Sequence, residues 1–192
     1  VHQTIAGEGW AAIWFSEHGA SKAKAAVWSG VGIYRSDGEV LTGCVAQEDY
    51  FTRRRQLKSG TCDPADAPTA APWDVGLAPS NPEAEASVLA WLEGSWPLPG
   101  SVRCDDEHIT GVPLEFDVDG AEVGELRSSG EHVALNLRQR GRYLRGLPDV
   151  SEAPSEQTLD VNGLVRVSDG LVVSGRVIRD RMGLWSRLRN AA

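Results

Sequence analysis

At 192 residues the chain is long enough for one large domain or two small ones, and 41% hydrophobic with 24% charged residues is a globular composition. Nineteen basic against 27 acidic residues leave a net charge of −8, a field that repels phosphate backbones and excludes general nucleic-acid binding. No apolar run approaches the ~20 residues of a membrane helix. The first residues, VHQTIAGEGW, lack the charged and apolar regions of a secretory leader. Cys44, Cys62 and Cys104 lie far apart and form no C-x-x-C pair, so the expectation is a cytoplasmic protein with reduced thiols, no metal and no disulfide scaffold.

In chain order, Gly9–Gly19 (GWAAIWFSEHG) alternates as a half-buried strand does. One face carries Trp10, Ala12, Trp14, Ser16 and His18, the other Ala11, Ile13 and Phe15. Val31–Leu57 follows, with Ser36-Asp37-Gly38 between two alternating runs. Asp-Gly tolerates positive φ and marks a tight hairpin. The return strand leads to Asp49 and a short tail in which Arg53-Arg54-Arg55 reads as a solvated helical face. Residues 58–80, with prolines at 64, 68, 72 and 79, read as a linker laid over the surface, since Trp73 needs something to pack on. Asn81-Pro82-Glu83 then starts a helix that ends at Gly94, with Val88, Leu89 and Leu92 on one face and Glu85 in the first turn. Asp105-Asp106-Glu107-His108 is read as an exposed turn rather than a metal site, because adjacent residues on a strand point to opposite faces. Val112–Val118 alternates as another strand, closed by Asp119-Gly120.

The remainder repeats the start. Glu131–Gly141 (EHVALNLRQRG) matches Gly9–Gly19, and Gly163–Leu188 matches Val31–Leu57 with Ser168-Asp169-Gly170 at the turn and Asp180 in the place of Asp49. The offset grows from 122 to 132 residues between the two matches, placing about ten extra residues in the loop around 144–155. These boundaries divide the chain into residues 1–60, a first and incomplete copy, a linker at 61–80, and a second copy at 81–192.

The second copy, with its strand ending in Arg140-Gly141, its Asp-Gly turn and its closing Asp180-x-x-Gly183-Leu184-x-x-x-Leu188, resembles the SnoaL-like polyketide cyclases of the nuclear transport factor two-like superfamily. The resemblance implies an α+β fold in which a curved, mostly antiparallel sheet packs on helices as a cone around an apolar cavity. Two such copies would stand in one chain, pairing with each other or in a homodimer. Family enzymes use a return-strand carboxylate as general base, but the corresponding positions here hold Ala46 and Val177. Asp49-Tyr50-Phe51 resembles the Asp-Tyr-Phe of limonene-epoxide-hydrolase-like proteins, which makes Asp49 a candidate base; its distance from the turn glycine favours a structural Asp holding the tail.

His18 is a candidate acid or base, against the plainer reading of a solvated strand end. Trp10, Trp14, Ser16 and Trp28 are candidate pocket residues in the first copy, and His132, Asn136 and Arg138 in the second. Packing and surface pairing are the competing readings, and alternation does not say which face lines a cavity. Two functions stand open. One is a cofactor-free cyclase, isomerase or epoxide hydrolase acting on a small apolar molecule through Asp49 and His18. The other is a non-catalytic ligand-binding or scaffold module that lacks the family's base.

Overall fold

The computed structural model describes residues 1–69, 71, 73–74, 76–94, 102–110, 113–150 and 155–190. The first quarter of the chain is an antiparallel meander: β1 (Gln3–Gly7), β2 (Trp10–Ser21), β3 (Lys24–Ser36) and β4 (Leu41–Glu48), hydrogen-bonded in that order. Helix α1 (Tyr50–Ser59) follows directly. After the linker come α2 (Pro82–Gly94), β5 (Val102–Cys104), α3 (Glu107–Thr110), β6 (Glu115–Ser129), β7 (His132–Arg145), β8 (Ser155–Ser168), β9 (Leu171–Arg179) and α4 (Arg181–Asn190). Their strands form a second sheet in the order β5-β9-β8-β7-β6, antiparallel except for the β5–β9 pair. The architecture is therefore α+β with mostly antiparallel sheets.

Strand β7 shows how its alternation is used. Val133, Leu135 and Leu137 point to one side, into a core shared with Val88 and Trp91 of α2 and Leu184 of α4. Ala134 points to the other, where it joins Leu164 and Ile178 against Ile5, Ala12, Val31 and Ile33 of the four-stranded sheet. The five-stranded sheet is thus apolar on both faces, with helices on one and a second sheet on the other. Alanines at the centre of the sheet–sheet contact allow close approach. Each large side chain sealed there, such as Ile33 or Leu164, contributes roughly 1.5–3 kcal/mol. Asn162, fully buried between the sheets, donates its amide to the carbonyls of Val31 and Val45 at 3.1 and 3.0 Å and accepts from Asn136.

The two hairpins turn differently. Asp169 and Gly170 both have positive φ, 52° and 74°, as a two-residue type I′ connection requires. In the first hairpin only Gly38 does, and the Asp37 carboxylate instead accepts the N–H groups of Glu39 and Val40, making a wider loop. Asp49 and Asp180 serve alike as helix caps, accepting from Thr52 N at 3.0 Å and Gly183 N at 2.8 Å.

Helix α1 is held to β3 by Gln56, whose amide accepts from Val27 N–H at 3.0 Å and donates to Val27 C=O, imitating a neighbouring strand. Asn81 caps α2 through Ala84 N. The buried stripe of α2 is Ala84, Val88 and Trp91; Leu89, expected on that stripe, is exposed, and Glu85 accepts from the Ser128 hydroxyl at 2.6 Å rather than facing solvent.

The linker runs beside β1, where Thr69 hydrogen-bonds to the Val1 and His2 carbonyls. Trp73 finds no packing surface among the described residues and is 72% exposed. Pro72 and residues 151–154 of the 144–155 loop lie outside the described residues. No described helix is long and apolar enough to cross a membrane.

Candidate functional site

The segment expected as an exposed turn is instead the electrostatic centre of the molecule. Asp105 and Asp106 are buried, because β5 seats them against β9 and the start of α4. Arg176 donates to the Asp105 carbonyl and the Asp106 carboxylate. Arg179 pairs with Asp105 at 2.7 Å and with Glu107 at 2.9 Å. Arg181 reaches Asp49 at 2.5 Å, Asp105 at 3.4 Å and Glu107 at 3.3 Å. Asp106 also takes both the N–H and the hydroxyl of Ser29 from the four-stranded sheet, so the cluster joins the two halves of the chain.

Four carboxylates face three guanidiniums there, and the ionisation of the acids divides accordingly. Burial and the Arg179 and Asp105 charges act on Glu107, and its pKa is pushed up to about 7, burial being the dominant cause. Asp106 is also raised, by burial first and by the Asp49 carboxylate beside it. For Asp49 the cost of burial is outweighed by Arg181 and by hydrogen bonds from Asp106 N and Thr52, leaving its carboxyl below the usual range.

Arg181 also forms one end of a cavity of about 690 Å³ between α1 and the corner joining β7 to β8. Its apolar walls are Phe51, Leu147 and Pro148, and Arg54, Arg55 and Lys58 stand along α1 at its rim. The corner is pinned in place. The Tyr143 hydroxyl accepts from Leu147 N at 3.1 Å, and Trp185 Nε1 donates to Pro148 O at 2.9 Å. Gly146 has φ +105°, and any Cβ there would strike the Pro113 carbonyl, so only glycine makes this bend. The size falls within the range of small-molecule pockets.

The residues singled out from the sequence are distributed differently. Asp49 is 1% exposed, with all its accepting capacity taken by Thr52, Asp106 and Arg181. His18 is exposed on the far part of β2, opposite Val27, and does not line the cavity between α1 and the β7–β8 corner. The two do not share a site, and the depressed pKa of Asp49 is opposite to what a general base needs. Trp14 packs at the sheet–sheet interface, 4.8 Å from the His2 ring, and Ser16 hydrogen-bonds that ring at 2.6 Å. Trp10 borders a shallow cavity of about 540 Å³ with Tyr34 and Leu41. Trp28 is on the opposite face of its sheet, bonded to Glu48 and covered by Arg53 at 5.1 Å.

In the second half, His132 is half-buried at the start of β7, its pKa lowered by burial. Asn136 and Arg138 do come together, in a polar cleft of about 450 Å³ beside β4, where Arg138 is paired with Asp160 at 2.7 Å. The three tryptophans named as pocket candidates in the first half are therefore split between two faces of one sheet. The side chains that sequence reasoning missed are Arg54, Lys58 and Arg181 with the corner at Leu147; the basic run on α1 was a signal for Arg54 and Lys58, and nothing local marked Arg181 or Leu147. Among the described residues no cluster of His, Cys, Asp and Glu has the arrangement of a metal site.

Compared by sequence, the chain matches no described protein family and no curated protein. Compared by structure, it is similar to a candidate SnoaL-like polyketide cyclase from Jannaschia sp. CCS1, with 15% identity and a TM-score of 0.44 over 60% of this chain and 97% of that one. It is also similar to AclR, a candidate hydroxylase from Streptomyces galilaeus, with 18% identity and a TM-score of 0.41 over 57% of this chain and 82% of that one.

Proposed function

We propose that the chain is a SnoaL-like, small-molecule-binding protein in which two related sheet units pack face to face, and that its ligand site is the cavity between α1 and the β7–β8 corner. The observation that carries this reading is the cavity itself: about 690 Å³, walled by Phe51, Leu147 and Pro148, on a corner held rigid by Tyr143 and Trp185. Binding is favoured over acid–base turnover because the described residues lining it include no carboxylate and no imidazole, and because Asp49 and His18 lie apart. The site is shared between the halves, with α1 from the first and the corner from the second, which gives a reason for keeping both in one chain.

Titration with an apolar fluorescent probe tests the reading. The wild-type protein should bind it in the micromolar range with one site, and Leu147→Trp, which enlarges the buried wall, should weaken binding at least tenfold. Because the ring also overpacks the core and lowers the unfolding midpoint, both proteins are titrated at a temperature where each is folded. Equal binding by the two proteins would move the ligand elsewhere.

A further inference from the structure

The ionisable side chains that line the cavity are all basic, in a chain whose net charge is negative. The chain carries −8, yet four cations, Arg54, Arg55, Lys58 and Arg181, line this one space. Their partners differ. Arg181 is ion-paired with Asp49, Asp105 and Glu107, and Arg55 with Asp63. Among the described residues Lys58 reaches only Asp149 at 3.8 Å, with both side chains more than 60% exposed, a geometry worth little in water. Arg54 has no carboxylate partner among the described residues; its guanidinium lies 4.1 Å over the Trp185 ring. Stacking there holds the planar group in place while leaving its N–H edge free for a ligand.

Resting on the binding reading above, we infer that the ligand is an amphipathic monoanion, an aliphatic or aromatic carboxylate. Its apolar body lies against Phe51, Leu147 and Pro148, and its carboxylate is held by Arg54 with Lys58 beside it. One guanidinium without a carboxylate partner among the described residues and one weakly held ammonium match a single carboxylate, which Arg takes in a bidentate fork. A neutral apolar molecule would leave Arg54 desolvated without a partner. A cation would meet Arg54 and Lys58, neither of them firmly paired. A bare inorganic anion would leave the apolar walls uncovered.

Calorimetric titration of the whole chain with decanoate, decanol and decyltrimethylammonium, each below its micellar concentration, tests this. Decanoate should bind about tenfold or more tightly than decanol, the scale of one charge-assisted hydrogen-bonded contact, and the cation should not bind. Raising the salt to 0.5 M should narrow the gap between decanoate and decanol. Lys58→Gln, at an exposed position that folding does not need, and Arg54→Gln should each bring decanoate toward decanol while decanol itself is unchanged. If decanoate and decanol bind equally, and Leu147→Trp abolishes both, the carboxylate inference is overturned and the cavity reading survives. If neither binds, or Leu147→Trp changes nothing, the cavity reading itself is overturned, and the carboxylate with it.

Discussion

Asp49 and Glu107 belong to one charge cluster, touch the same arginine, and ionise in opposite directions. The difference lies in what each accepts. Asp49 collects two N–H groups, a hydroxyl and a guanidinium, all of which favour the anion. Glu107 sits where four acids outnumber three arginines, and burial pushes its pKa up to about 7. With its folded pKa above the 4.5 of an ordinary glutamate, the native state binds this proton more tightly than the unfolded chain does. Glu107 therefore adds stability that is fully present below pH 4.5 and is lost as pH rises to 7, by about 3 kcal/mol at most. His2 and His132, both lowered by burial, act in the opposite direction below about pH 6.5. The informative quantity is thus a difference. Thermal unfolding from pH 5 to pH 8 should show that Glu107→Gln gains on wild type as pH rises; parallel curves would remove Glu107 from this role.

Little of this cluster was legible in the sequence. Three consecutive acids on an unassigned stretch resemble a solvated turn until Arg176, Arg179 and Arg181, about seventy residues away, are brought against them. The equivalence of Asp49 and Asp180 was legible, because a helix cap is a local pattern that reads the same in both places.

Among the elements, α1 depends most on a single side chain. Gln56 supplies both hydrogen bonds that β3 lacks at Val27, and it also accepts from Asp63 N at 2.9 Å, fixing the start of the linker. Gln56→Ala would leave a buried N–H and a buried C=O unpaired at roughly 1–3 kcal/mol each, so a loss of about 3 kcal/mol in urea unfolding is expected. Protection of the Val27 amide from hydrogen exchange should fall with it. A change below about 0.5 kcal/mol would show that water substitutes for the glutamine.

Strands, turns and the α2 cap were readable from alternation and from Asn-Pro and Asp-Gly pairs. The faces were not. Alternation distinguishes a buried face from an exposed one, but β7 is buried on both sides, with leucines toward helices and Ala134 and Asn136 toward another sheet. The expected pocket residues were drawn from the sheet-facing set, which is why Asn136 and Arg138 appear in an inter-sheet cleft and not beside the apolar cavity.

At the scale of the whole molecule, the two halves meet through an apolar layer of Ile5, Val31, Ile33, Leu164 and Ile178, through Asn162, and through the acid–arginine cluster. Phe51, although it belongs to α1, is part of the core of the second half. None of these contacts runs through the linker, and Trp73 at its middle stands almost bare. Once folding is complete, these contacts should hold the halves together without the peptide connection. Brief chymotrypsin treatment should cut after Trp73 and give two fragments on a denaturing gel that still travel as one particle on a sizing column. Fragments that separate without denaturant would mean that the linker is a tether, whereas a particle that stays whole behaves as a complex of two chains that happens to be encoded as one.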